Sequence, residues 1–461
     1  MPTDIRGLRL TAASQEAADA YDRTIEAYLA SGPETADLLA ATLAADPDMP
    51  MAHVLRGYLM NLAGRAEMLV RARDSFAEAQ RRAGGATARE RAHVAALAAW
   101  CDLDLRRAIA ILEEILVEHP RDLLAARLAH YLHFYLGELL PMRDSVARLL
   151  PCWDEGVPGY GFLLGCRAFG LEETGDYAAA EAAGRRAVEI DARDIWAGHA
   201  VAHVLEMQGR CREGIEWVDQ HENVWATRNA FANHVWWHRC LYYLELQQHD
   251  AVLDQFDRLV WRGTSDDNLD ITNAAALLMR LEMLGVDVGG RWESLTGLCE
   301  ARIGDHNRPF NDVHFAMPLA ATGRTEAVER LLASMRGFAA EAGPNVTVAP
   351  ILREVGIPIA EAVAAYRRGD YGAAVERLLP VRYAMQALGG SWAQRDVFAR
   401  LLIEAALRAG RFRLARALLA ERLALKPRSA PSWLGYARAL DGLGEREAAE
   451  AARGRAASLA A

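Results

Sequence analysis

Two stretches of this chain place histidines four residues apart behind an aromatic–alanine pair. One is Trp196-Ala197-Gly198-His199 followed by His203; the other is Phe231-Ala232-Asn233-His234 followed by His238. On a helix, residues at i and i+4 project from one face, so each pair presents two imidazoles together. The pairs are 35 residues apart (199 to 234), and Glu206 and Glu245 each lie seven residues beyond a histidine, two turns further along nearly the same face. Three chemistries suit such a set. The rings can be packed and hydrogen-bonded between helices, because an unpaired buried imidazole costs about 1–3 kcal/mol. They can line a small-molecule site as acids or bases, with Asp270, Asp312 or Asp396 orienting them and Trp236, Trp237 and Trp392 as an aromatic wall. They can also hold zinc or iron, for which imidazoles at i and i+4 are suitable donors.

Related polar residues recur in neighbouring segments: Leu269-Asp270-Ile271-Thr272-Asn273, Phe310-Asn311-Asp312-Val313-His314 and Trp392-Ala393-Gln394-Arg395-Asp396, with His130 and His133 in an earlier one. Two weaker patterns carry nothing. His221-Glu222 has no second histidine at the metalloprotease spacing, and Gly159-Tyr160-Gly161 with Gly165 misses the dinucleotide fingerprint and follows no strand. Trp236 and Trp237 are adjacent, so they point to different faces and at least one belongs to a core.

The elements that must position these residues are helices. Strand signals are almost missing, whereas apolar residues recur at helical spacing, as in Ala108, Ile109, Leu112, Ile115 and Leu116. A glycine followed by a polar residue punctuates the helical runs at Gly64, Gly137, Gly175, Gly209, Gly323, Gly369, Gly410 and Gly444, with Gln248 and Gly285 falling where intermediate turns are needed. Gly175 to Gly209 and Gly410 to Gly444 are both 34 residues, the tetratricopeptide period. Asp46-Pro47, His119-Pro120 and Lys426-Pro427 repeat a proline-bearing turn between units. The spacing lengthens between about 209 and 410, so the middle departs from the minimal repeat. The fold class is therefore all-α: a superhelical solenoid of tetratricopeptide-like helix-turn-helix repeats, expected as one domain over 1–461. Residues 1–32 are expected to form an N-terminal capping helix region, its helix starting at Ser14, and 445–461 a C-terminal capping helix.

Composition narrows the function classes. The chain is 52% hydrophobic with a formal net charge of −10 and lysine nearly absent, which argues against a phosphate-binding footprint and hence against nucleic acid. Six scattered cysteines lack a C-x-x-C pair and suit reduced, mostly buried thiols. The N-terminus has no apolar signal core, and no run reaches a membrane span. A cytoplasmic location is the expectation.

At the segments His199-Ala200-Val201-Ala202-His203-Val204-Leu205-Glu206 with Gly209-Arg210, His234-Val235-Trp236-Trp237-His238, Phe310 to His314, Arg395-Asp396-Val397-Phe398, and the Leu269-Asp270 helix ending Arg280-Leu281-Glu282, the chain resembles a bacterial member of the tetratricopeptide-repeat protein 38 family. The resemblance runs from Ala52-His53 to Asp396 and beyond. It implies one long, cytosolic, curved repeat domain and a shared inner site for the His and Asp positions; it brings no substrate.

The expected site is thus a concave pocket lined by His199, His203, His234, His238, Asp270, Asp312, His314, Arg395, Asp396 and Trp237, binding a small polar ligand, with or without catalysis. The rivals are a non-enzymatic scaffold gripping a peptide in the groove and a metal-binding enzyme using His199, His203, His234 and His238. No nucleotide motif points to an organic cofactor, and oligomerisation is left open.

Overall fold

The computed structural model describes residues 1–263 and 265–460. Among these, helices follow one another from Gln15–Leu29 to Arg446–Ala460, and β structure is limited to one isolated bridge between Thr3 and Arg9. The helices pair in antiparallel fashion: Tyr160–Glu173 with Tyr177–Ile190, Ile195–Met207 with Cys211–Trp225, and Trp392–Arg408 with Phe412–Leu425. No helix is long and apolar enough to cross a membrane among the described residues.

The glycine punctuation falls where the helices turn. Gly175 has φ +88° and ends one helix, and the next residue, Asp176, caps the following one by accepting from the Ala179 amide. Where Gln248 was expected to mark a turn, Gln247 takes the left-handed conformation at φ +58°. Ser14 caps helix Gln15–Leu29 as expected. Helix Arg446–Ala460 lies in the expected terminal region, whose last residue, Ala461, is outside the described residues. The longer spacing in the middle is taken up by extra turns, Phe256–Val260, Gly289–Trp292, Val348–Ile351 and Leu352–Gly356.

The superhelix is wound so tightly that successive turns stack on each other. Asn268 donates to the carbonyls of Ala63 and Gly64, the Thr347 amide to Leu103, Gln386 to Gly137, the Trp392 amide to Glu173, and Lys426 to Glu206. Four of these contacts span 204, 249, 219 and 220 residues, about one superhelical turn each. Gly137 and Gly389 permit the closest approach: a Cβ on either would collide with the backbone of Gln386 or Tyr135. The first helices of the central repeats are therefore covered on both sides. Helix Ile195–Met207 is buried without a break from Ile195 to Glu206, unlike a surface helix with one apolar stripe. The C-terminal repeats lie against these helices, as the Lys426–Glu206 and Arg400–Glu245 ion pairs show.

Candidate metal centre

The two histidine pairs meet in this closed interior. Helix Ile195–Met207 begins at the Asp194 cap, which accepts from the Ala197 amide, and carries His199 and His203 inward. Helix Phe231–Glu245 lies beside it and carries His234 and His238. Gly198 lets the next helix close in, because a Cβ there would strike the Trp225 ring. The four histidines are between 0% and 3% exposed. Ring centroids are 4.4 Å apart for His199–His203, 4.3 Å for His203–His238 and 4.8 Å for His199–His234. Phe169 stacks on His199 at 5.6 Å and Trp237 on His234 at 5.3 Å, while Trp196 and Phe231 close the remaining sides.

Nitrogen geometry is the most informative feature. His199 Nε2 lies 2.9 Å from His203 Nε2 and 3.0 Å from His234 Nε2. One ligand-capable atom from each of the four histidines falls within 4.8 Å of those of the others. The opposite nitrogens of three rings face acceptors. His234 Nδ1 is 3.1 Å from the Asn273 side-chain oxygen, His203 Nδ1 is 3.5 Å from Glu172 Oε2, and His238 Nδ1 is 3.4 Å from Glu206 Oε2. An acceptor on Nδ1 draws the ring proton there and turns the Nε2 lone pair toward the centre. Metal-bound histidines are oriented in the same way by carboxylates and carbonyls behind them.

Burial, then the neighbouring histidines, hold His199 and His238 well below the ordinary imidazole pKa; burial does the same to His203, only partly opposed by Glu206. Burial lowers His234 to about 4. All four are therefore neutral at pH 7 and available as donors. Several buried polar atoms around them have no hydrogen-bond partner: His199 Nδ1, both nitrogens of His238 and one oxygen of Glu206. Unsatisfied groups gathered at one place call for a partner, whether water or an ion.

The other expected residues are placed differently. Trp237 is in the centre. Asp270 accepts from Asn233, one residue before His234, so it sits at the edge; burial pushes its carboxyl up to about 6. The residue that orients His234 is Asn273, one turn beyond Asp270. Asp312 accepts from His306 at 2.8 Å rather than from any of the four. His314 donates to the Phe310 carbonyl and packs on Phe398, and burial lowers it to about 3. Asp396 is an ion-pair hub, bound by Arg400 at 2.7 Å and by both terminal nitrogens of Arg422; those arginines hold its carboxyl well below the usual range. Arg395 reaches the Gly389 and Gly390 carbonyls and lies 3.6 Å from Glu173, so it touches the centre only through that carboxylate. Trp392 is 43% exposed and forms no aromatic wall.

Glu172, Glu173, Asn273 and Lys426 were not among the expected residues. Glu172, Glu173 and His203 form a second cluster with atoms within 4.8 Å. Glu172 is held well above the ordinary carboxylate pKa by burial and by the charge of Glu173. Lys426 is the only lysine in the chain.

No family model matches the chain. Among solved structures, it is similar to the human IFIT1 dimer with m7Gppp-AAAA, at 13% identity over 96% of this chain and 89% of that one, with a TM-score of 0.33. The P58(IPK) TPR domain matches at 12% identity over 81% of this chain and 98% of that one, TM-score 0.23. Naa15/Naa10 bound to HypK-THB matches at 13% identity over 95% and 68%, TM-score 0.25. At these scores none carries a site or a partner to this chain.

Proposed function

We propose that His199, His203, His234 and His238 hold one divalent transition-metal ion, zinc or iron, and that the protein is a helical-repeat metalloprotein. The observation that carries this is the convergence of ring nitrogens, His199 Nε2 lying 2.9 Å from His203 Nε2 and 3.0 Å from His234 Nε2 with a nitrogen of His238 within 4.8 Å of them, and with Asn273, Glu172 and Glu206 behind three of the rings. Tetrahedral nitrogen donors about 2.0–2.1 Å from zinc stand roughly 3.3 Å from one another, so small ring rotations complete the site. A set of four imidazoles without thiolate suits zinc or iron better than a hard oxygen-ligated cation. An organic ligand is disfavoured, because the rings fill the space between them. With all four positions taken by protein, the ion clamps two adjacent repeats rather than offering an open coordination site. We further place the chain, as one repeat domain, in the cytoplasm and in the tetratricopeptide-repeat protein 38 family, on the motif segments and on cysteines that are all free and buried except Cys152.

The test is elemental mass spectrometry on protein purified without chelator or histidine tag. One zinc or iron per chain is expected, lost in His203→Ala and His238→Ala. Metal-free wild type that takes up neither ion on incubation would sink the proposal.

A further inference from the structure

Glu206 faces two ways. One oxygen lies 3.4 Å from His238 Nδ1, and the other accepts from Lys426 Nζ at 2.9 Å. Lys426 belongs to the turn between helices Phe412–Leu425 and Ala430–Gly442, which lies one superhelical turn away in sequence. Its side chain is 12% exposed and that of Glu206 5%. Long lysine side chains are rarely so enclosed unless paired. Every other Lys or Arg position in the chain is arginine.

The surroundings show what this contact closes. A crevice with room for about one water, 10 Å³, is bounded by Glu206, Gln208, Cys211, Glu245, Lys426 and Arg428. Arg428 also packs against Gly209, where a Cβ would meet its side chain. The 426–429 turn thus sits over the end of helix Ile195–Met207, with Glu206 between it and the histidines.

We infer that Lys426 is a positioning residue for the histidine centre: it holds Glu206 against His238 Nδ1, so that His238 presents Nε2 to the other three rings. This rests on the metal reading above. Without the ammonium, the Glu206 carboxylate swings toward water in the crevice, and His238 is free to turn or change tautomer. Outer partners of this kind commonly change metal affinity by about 10–100-fold.

The experiment uses full-length protein loaded with zinc, and separately with cobalt(II) as a spectroscopic reporter. Extraction by a chelator is timed for wild type, Lys426→Arg, Lys426→Met and the double variant Lys426→Met/Glu206→Gln. The double variant leaves no unpaired buried carboxylate and so guards against misfolding of the single one. Extraction at least about tenfold faster in both methionine variants is expected, with altered cobalt absorption, an unchanged far-ultraviolet circular dichroism spectrum and recovery in Lys426→Arg. Wild-type extraction rates and an unchanged cobalt spectrum in the methionine variants would overturn the inference and leave the metal reading standing. A wild type that binds neither zinc nor cobalt would overturn both.

Discussion

His203 and Glu172 face each other across 3.5 Å in a region that water does not reach, and they come from different repeats. Glu172 shares a proton with Glu173 beside it, and its Oε2 is the acceptor nearest to His203 Nδ1. Its nearest use is therefore to accept the Nδ1 proton of His203, and that proton is firmly held when Nε2 is bound to a cation.

Glu172→Gln keeps the shape but offers a weaker acceptor. Zinc affinity measured by competition with a chromogenic chelator should fall by about tenfold or more, while the melting temperature of the metal-free protein changes little, since burial already favours the uncharged form of Glu172. Unchanged affinity would remove Glu172 from the centre.

The metal-free protein should lose stability in mild acid. His234 has a folded pKa of about 4 against an ordinary value of 6.5, and His199, His203 and His238 are also depressed. Below 6.5 the unfolded chain takes up protons that the folded histidines refuse. Their contribution is thus complete above 6.5 and is lost as pH falls toward 4. Glu172, whose pKa is raised, works in the opposite sense: its contribution is present at low pH and fades as pH rises through its folded value. Urea titrations from pH 8 to pH 4 should show the acid loss, and His199→Phe/His203→Leu should flatten it.

Metal removal should lower the melting temperature, because an ion that binds only the folded state stabilises it by mass action, about 2.7 kcal/mol at a hundredfold excess over Kd. Calorimetry with and without chelator measures this. His234→Ala should abolish the difference.

Gly198→Ala should destabilise without touching a ligand. The added methyl meets the fully buried Trp225 ring, whose indole N–H is tied to the Ala192 carbonyl at 3.1 Å. Overpacking of this kind costs about 1–3 kcal/mol. Denaturant unfolding measures it, with metal stoichiometry expected to remain at one.

Asp396→Asn separates the two expectations for that residue. As an ion-pair hub for Arg400 and Arg422, it should cost about 2 kcal/mol of stability when neutralised, with full metal content retained. Loss of metal at unchanged stability would return Asp396 to the centre.

The sequence made legible what is local. Glycines 34 residues apart mark the turns because the left-handed conformation at the end of each helix is a property of a single residue. The duplicated aromatic-Ala-x-His-x-x-x-His pattern identified four central residues because i and i+4 share a face and adjacent repeats stack in register. Glu206 was visible for the same reason. Asp312, His314 and Asp396 also sit near helix starts, but rotation from one repeat to the next carries them to other parts of the interior, and no helical period records that rotation. Glu172 lies at the end of its helix rather than its start, so the shared pattern passes over it. Lys426 reaches Glu206 across 220 residues through the stacking of superhelical turns, a contact that depends on the pitch of the whole coil.

The stacking of Gly137 on Gln386 and of Glu206 beneath Lys426 has a consequence for synthesis. The histidines leave the ribosome well before the turn that covers them, so for the time taken to add some 190 further residues (238 to 426) the centre is open on one side. On the metal reading, an ion would enter during that interval and be enclosed only when the last repeats dock. A chain shortened before residue 426 would therefore bind and release metal quickly, and occupancy in the cell would be set by what is present while the protein is being made.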